Sequence, residues 1–172
     1  MKPRTWTLLL MGICFIAAGC AAPKSWISTP SDQTVDNSYF TATFTPLTAG
    51  KPYFNRFLLE ITNRSSEALT VDWGASRYLY AGQPAGRYIH RGIQRENVND
   101  PPPDVIAVGG QLRREIAPLR LIAWRGYKPG HKGAESFSAG PLPEGSNGIL
   151  LVVRQNGREI RETLTVDIAV AP

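Results

Sequence analysis

Two histidines, His90 and His131, and two cysteines, Cys14 and Cys20, are the side chains best equipped for chemistry in this 172-residue chain. A nucleophilic relay needs a hydroxyl beside an imidazole that a carboxylate orients. Ser76, His90 and either Asp72 or Asp104 supply the parts. No Gly-x-Ser-x-Gly elbow surrounds a serine, however, and His90 sits in an alternating segment that suits a half-exposed strand histidine better. Metal binding is served no better. The histidines lie far apart, and Asp100 and Asp104 flank a run of prolines without calcium-loop spacing. Gly109-Gly110 and Gly126 belong to no phosphate-binding fingerprint. No catalytic residue, metal or cofactor is therefore expected. The richer constellation is aromatic and basic. Asp72, Arg77, Tyr78, Tyr80, Tyr88 and Tyr127 combine the residue types that dominate binding hot spots, and they are the candidate binding surface, for a glycan or an extended peptide. The competing reading puts Trp73 and Trp124 in a core and the tyrosines at strand edges with their hydroxyls in water.

The cysteines belong to a different chemistry. Lys2 and Arg4 precede an apolar run from Trp6 to Ile16, broken only by Thr7 and Gly12, and the small residues Ala17, Ala18 and Gly19 follow. Basic, apolar, then small is the order of a targeting segment. The run falls short of the roughly twenty apolar residues a spanning helix needs. Ala17-Ala18-Gly19-Cys20 resembles the lipobox of bacterial lipoproteins, with Ala17 where Leu is usual. That resemblance implies cleavage before Cys20, a diacylglycerol on its thiol and often a further acyl chain on the new amino group. One acyl chain holds a protein only marginally at a membrane, whereas two or more hold it stably. Ala21, rather than Asp, after the cysteine implies the outer membrane, facing the periplasm, in a Gram-negative cell. In a Gram-positive cell the anchor would sit on the outer face of the single membrane. With Cys14 lost in the signal and Cys20 carrying lipid, the body has no disulfide and must rely on its core.

Removing residues 1–19 leaves 153 residues, enough for one domain with a real core, and 17 basic against 14 acidic side chains, a net charge of +3. The basic residues are spread out. Their densest group, Arg87, Arg91 and Arg95, is interleaved with Glu96, Asp100 and Asp104, so no clustered basic face for nucleic acid is expected. Weak attraction to anionic headgroups is compatible with this charge.

The elements that must position these side chains read as strands. Phe40, Ala42 and Phe44 alternate with threonines, and Phe57, Leu59 and Ile61 alternate in the same way. Asn63-Arg64-Ser65-Ser66 reads as a turn before an extended Ala68–Trp73. Gly82 to Gly86 and the prolines 101–103 read as connections or sheet edge, and Gly109-Gly110 as a break before Leu112–Ile116. Asn156-Gly157 is a strong hairpin signal between Ile149–Gln155 and Arg158–Val170. In that last segment Leu164, Val166, Ile168 and Val170 share one face, which a second sheet must cover. Residues 20–38, with Pro23, Pro30 and little apolar period, read as the lipidated cysteine and a flexible tether. The expectation is thus a signal peptide over 1–19, a tether over 20–38, and an all-β domain over 39–172. The domain would be an immunoglobulin-like antiparallel β-sandwich of about seven to nine strands.

The body also resembles a loose group of uncharacterised bacterial envelope lipoproteins with an immunoglobulin-like sandwich. The resemblance rests on Leu59-Glu60-Ile61-Thr62-Asn63, Leu69-Thr70-Val71-Asp72-Trp73 and Gly86 through Ile93, then on Pro102 through Ala107, a glycine pair and Ile116-Ala117-Pro118. Val108-Gly109 departs from the Pro-Gly common in the group. The resemblance implies a fold and no activity. Together these readings point to a non-enzymatic, membrane-tethered binding or structural module with a protein or glycan partner, its loop from Gln94 to Gly110 the best loop candidate for contact. An accessory subunit of a secretion or envelope-assembly machine is a narrower version. A cell-wall or glycan hydrolase is the alternative from another class.

Overall fold

The computed structural model describes residues 25–125 and 136–171, and every structural statement below concerns those residues. The side chains of Arg95, Trp124, Arg125, Ser136 and Phe137 are also outside the description. In chain order the strands are β1 (Trp26–Thr29), β2 (Gln33–Asp36), β3 (Phe40–Leu47), β4 (Arg56–Asn63), β5 (Leu69–Val71), β6 (Arg77–Tyr80) and β7 (Gln83–Pro84). They continue as β8 (Tyr88–His90), β9 (Asp104–Ile106), β10 (Gln111–Pro118), β11 (Ile122–Arg125), β12 (Ser136–Ala139), β13 (Gly145–Gln155) and β14 (Arg158–Val170). Two 3-10 turns, Arg95–Asn97 and Leu119–Leu121, are the described helical pieces. No helix among the described residues is long and apolar enough to cross a membrane.

All pairings are antiparallel, and they make two main sheets. One runs β1-β14-β13-β5-β9, with β6 also on β13 and β7 on β6; the other runs β2-β3-β4-β10-β8. A small hairpin of β11 and β12 stands apart. The two sheets face each other across one core, an all-β sandwich. Phe40, Phe44, Phe57, Leu59, Ile61 and Ile116 come from one sheet, and Leu69, Val71, Ile149, Leu151, Leu164, Val166 and Ile168 from the other. The alternation in the sequence is what builds it. β3 buries every second residue from Phe40, and its threonines stay partly exposed. In β14 Leu164, Val166 and Ile168 are buried while Asp167 and Ala169 face water. Phe44 and Phe57, on neighbouring strands, stack with centroids 4.2 Å apart. A second, smaller cluster of Ile89, Ile93 and Val98 packs beneath the loop after β8.

The hairpin expected at Asn156-Gly157 is there. Both residues have positive φ, 48° and 78°, which turns β13 directly into β14 with Gln155 opposite Arg158. Ala81-Gly82 makes a second such turn, φ 49° and 74°, between Tyr80 and Gln83. The segment read as the loop Gly82–Gly86 therefore opens on a hairpin.

Two expectations need correction. The strands number more than seven to nine because several stop after two to four residues, where a turn or a proline ends the ladder. The tether expected over residues 20–38 is not a tether throughout. β1 pairs with the end of β14, Trp26 opposite Val170, and β2 pairs with β3, Gln33 opposite Phe44. The Asn37 side-chain oxygen then accepts from the amides of Tyr39 and Phe40, at 2.8 and 3.0 Å. The cause is edge satisfaction. Both β14 and β3 would otherwise expose unpaired backbone beside a buried apolar face, and eight residues of modest apolar content suffice to close them.

Candidate functional site

Between β5 and β6 the chain leaves the ladder of β13 for one turn; Asp72 of the expected binding surface lies in that turn, and Arg77 follows it as the first residue of β6. The Asp72 amide donates to the carbonyl of Val152 at 2.9 Å. The buried Ser76 hydroxyl donates to the Asp72 carbonyl at 2.7 Å and accepts from the Val152 amide at 3.1 Å. Side chains thus fill the gap in the backbone ladder. The Asp72 carboxylate accepts from the Ala75 amide and from Arg154 Nε, both at 2.8 Å. Burial alone would raise its pKa, but the Arg154 hydrogen bond and the turn amides outweigh this and hold it below the usual carboxylate value. Arg77 folds back onto the carbonyls of Gly74 and Ser76, at 2.5 and 2.8 Å. Asp72 thus ties the turn to Arg154 on β13, and Nη1 of Arg77 ties β6 to the turn carbonyls.

Tyr78 and Tyr88 are core residues rather than a binding surface. Both are essentially fully buried and meet edge to face with ring centroids 5.6 Å apart. Their hydroxyls donate to Asn147 Oδ1 at 2.6 Å and to the Gly148 carbonyl at 3.0 Å. With partners on β13 for both hydroxyls, burying the rings costs little and gains their apolar area. Burial pushes the Tyr78 hydroxyl up to about 12 and the Tyr88 hydroxyl well above the ordinary tyrosine value. Trp73 fills the core as expected, and its indole N–H donates to Asp104 at 2.9 Å. Tyr127, Cys20, Ala17, Ala18, Gly19 and His131 lie outside the described residues, as does the Trp124 side chain.

The parts of the hydroxyl–imidazole–carboxylate relay are not assembled. Ser76 is committed to the turn, His90 Nδ1 lies 3.3 Å from the carbonyl of Arg91, and Asp104 binds Trp73 and Arg114. No hydrogen bond joins Ser76 to His90 among the described residues.

Tyr80 borders an open groove. A groove of about 550 Å³ lies at one end of the sandwich, lined by Trp26, Tyr80, Arg120, Leu121 and the strap Pro141-Leu142-Pro143-Glu144. The Tyr80 hydroxyl donates to the Glu144 carbonyl at 3.1 Å, and Leu142 is buried, its amide bonded to the Phe54 carbonyl at 2.8 Å. Tyr53 meets Trp26 edge to face at 6.5 Å. Sequence reading missed this groove because Trp26 lay in the supposed tether and the Pro-x-Pro strap sits far from it in sequence; the pair of prolines was the only available signal.

A different surface lies toward the other end. β9 is the last strand of its sheet, and Val105 and Val108, on it and just after it, are 69% and 58% exposed. The strand is held from behind. Asn63 donates to the carbonyls of Ile106 and Ala107 at 3.1 and 3.0 Å, and Arg114 grips Asp104 with two nitrogens. Register fixes its height. Val71 pairs with Asp104 and with Val153, and Val153 pairs with Ile160, ten positions up β14 from Val170. At about 3.3 Å per residue β9 stands roughly 30 Å from the end where the described chain begins.

Comparison with known proteins finds no matching family model, no matching curated protein and no matching solved structure.

Proposed function

We propose that this chain is a lipid-anchored, non-enzymatic binding module of the bacterial cell envelope. It is held through Cys20, at the outer membrane in a Gram-negative cell, and presents the β9 edge to an extended segment of a partner protein. The observation that carries the reading is the placement of exposed apolar residues. Three large ones are found among the described residues: Val105 and Val108 at the β9 edge, and Ile27 on β1. An open sheet edge offers unpaired backbone groups, and apolar side chains beside it give a partner strand something to bury. The edge is rigid where it must be, because Asn63 and Arg114 fix it to the opposite sheet, so little ordering entropy opposes binding. The anchor end and the binding end are then opposite ends of one sandwich.

The test has two readouts. Cys20→Ser is expected to abolish incorporation of a palmitate analogue and leave the signal uncut; labelling that persists in this variant refutes the anchor. A photocrosslinking residue at position 108 in the membrane-bound protein is expected to trap one partner in stoichiometric amount, and Val105→Lys, a charge on the edge strand, is expected to prevent it. Trapping that is equal in the Val105→Lys protein, or no more abundant than from an exposed position on β14 such as Asp167, refutes the edge.

A further inference from the structure

The groove at the near end has a geometry that its distance from the anchor makes specific. The described chain begins at Ser25, whose carbonyl accepts from the amide of Ala171 at 2.7 Å, and Trp26 follows in the wall of the groove. Cys20 is five residues before Ser25. Five extended residues reach about 18 Å at most. A lipid on Cys20 therefore holds the groove end within that distance of the bilayer. A folded domain of a hundred residues has a radius of gyration of about 13 Å and does not fit such a gap. The surface that faces the gap suits headgroups. Trp26, Tyr53 and Tyr80 carry amphipathic rings of the kind that settle at the membrane–water interface. Pro52 and Pro141 are exposed beside them; the groove lining carries one exposed cation, Arg120, and one exposed acid, Glu144, and Lys51 is exposed two residues before Tyr53.

We propose that this end of the sandwich docks on an anionic phospholipid surface, Trp26 and Tyr53 at headgroup level and Arg120 against lipid phosphate, so that the anchored body stands upright. The proposal rests on the lipid-anchor reading. An upright body holds the β9 edge roughly 30 Å out from the bilayer, where a partner reaches it. A basic residue near an anionic surface adds a Boltzmann weight of about fivefold to the docked orientation, and the interfacial rings add to it.

The experiment uses the lipidated protein purified from membranes and placed in vesicles of phosphatidylethanolamine and phosphatidylglycerol, with a phospholipid brominated near the glycerol. Bromine quenches tryptophan emission at close range. Trp124 is replaced by Phe in every protein compared, the reference included, so that Trp73, buried in the core, is the unquenched background. The reference protein is expected to be quenched, and Trp26→Phe, which keeps an aromatic ring against Tyr53, is expected to lose that quenching while its circular dichroism spectrum stays that of the folded protein. Arg120→Gln is expected to lower the ratio of docked to undocked protein about fivefold in the anionic vesicles and not at all in zwitterionic ones. Quenching at background in the reference protein, or equal quenching in Trp26→Phe, overturns the proposal. A peptide or glycan that co-purifies in the groove and excludes lipid overturns it as well. Failure of the anchor reads separately, as a Cys20 of unmodified mass. In that case the chain from residue 20, whose only cysteine is Cys20, is coupled to a maleimide lipid and the quenching is measured again.

Discussion

Asp104 shows how much of this fold one carboxylate holds. It lies on β9 in one sheet and receives Nε and Nη2 of Arg114 from β10 in the other, with the Trp73 indole as a third donor. Burial works to raise its pKa, but the Arg114 and Trp73 hydrogen bonds and the Arg114 charge outweigh it, so the folded value lies below the ordinary one. The sign follows. Below the unfolded value, about 3.9, the unfolded state binds more protons than the folded state. Stability is then fully present above that pH and is lost as pH falls through the folded pKa. Asp72 and Glu115 are depressed too and act in the same direction, Glu115 chiefly through its hydrogen bond with Arg56. Asp104→Asn is expected to destabilise the protein at pH 7 by about 1.5–3 kcal/mol, the range for a charge-assisted hydrogen bond, in urea unfolding. Its thermal midpoint is expected to fall less than that of wild type between pH 5 and pH 2. Parallel curves would show that Asp104 is not a linked group. None of this was visible in sequence, where Asp104 followed three prolines and its partners lay 31 and 10 residues away.

Elements differ in how openly the sequence declares them, and β13 and β14 are the clearest. Their length, the Asn156-Gly157 turn and the one-sided apolar face all follow from local rules, and the register confirms each of them. Gly148 obeys a rule the sequence hides. A Cβ there would lie 2.5 Å from the Leu164 carbonyl oxygen and 2.6 Å from Thr165 Cγ2, so β14 passes too close for any side chain. Gly148→Ala is expected to cost about 1–3 kcal/mol by forcing the strands apart, measured as a lower unfolding midpoint with circular dichroism. A neutral substitution would mean that β14 yields easily at this point. The candidate site was less legible for a related reason. Residue type says that tyrosines suit a surface or a core equally, and only the sheet says which. Tyr78 and Tyr88 went inward because Asn147 and Gly148 on β13 accept from their hydroxyls, partners some 60 to 69 residues away. Tyr80, two positions beyond Tyr78 on the same short strand, reached the groove because its hydroxyl meets the Glu144 carbonyl at the rim. The missed strands β1 and β2 are four residues each, too short for a period to show.

For the molecule as a whole, those two short strands decide where the body begins and, on the proposed anchor, how it would move. A body that started at Tyr39 would hang from nineteen residues of free chain and sample every orientation above the membrane. The observed body starts by Trp26, fastened to the last strand through four paired residues and to the opposite sheet through four more. Further ties cross between these segments. Asn37 donates to Glu162 at 2.8 Å, and Gln33 accepts from the Thr165 amide. The difference is measurable without any lipid, by comparing a chain that begins at residue 25 with one that begins at residue 39. The shorter chain exposes the outer edges of β14 and β3 and uncovers part of the core that Trp26 and Val35 pack against. Open edges beside apolar faces recruit other chains. The longer chain is expected to melt at a distinctly higher temperature and to stay monodisperse in light scattering at concentrations where the shorter one associates. Equal midpoints and equal dispersity would mean that residues 25–38 rest on the sandwich without holding it. The chain would then be free to swing from Cys20, and the close approach of the groove to the bilayer would lose its cause.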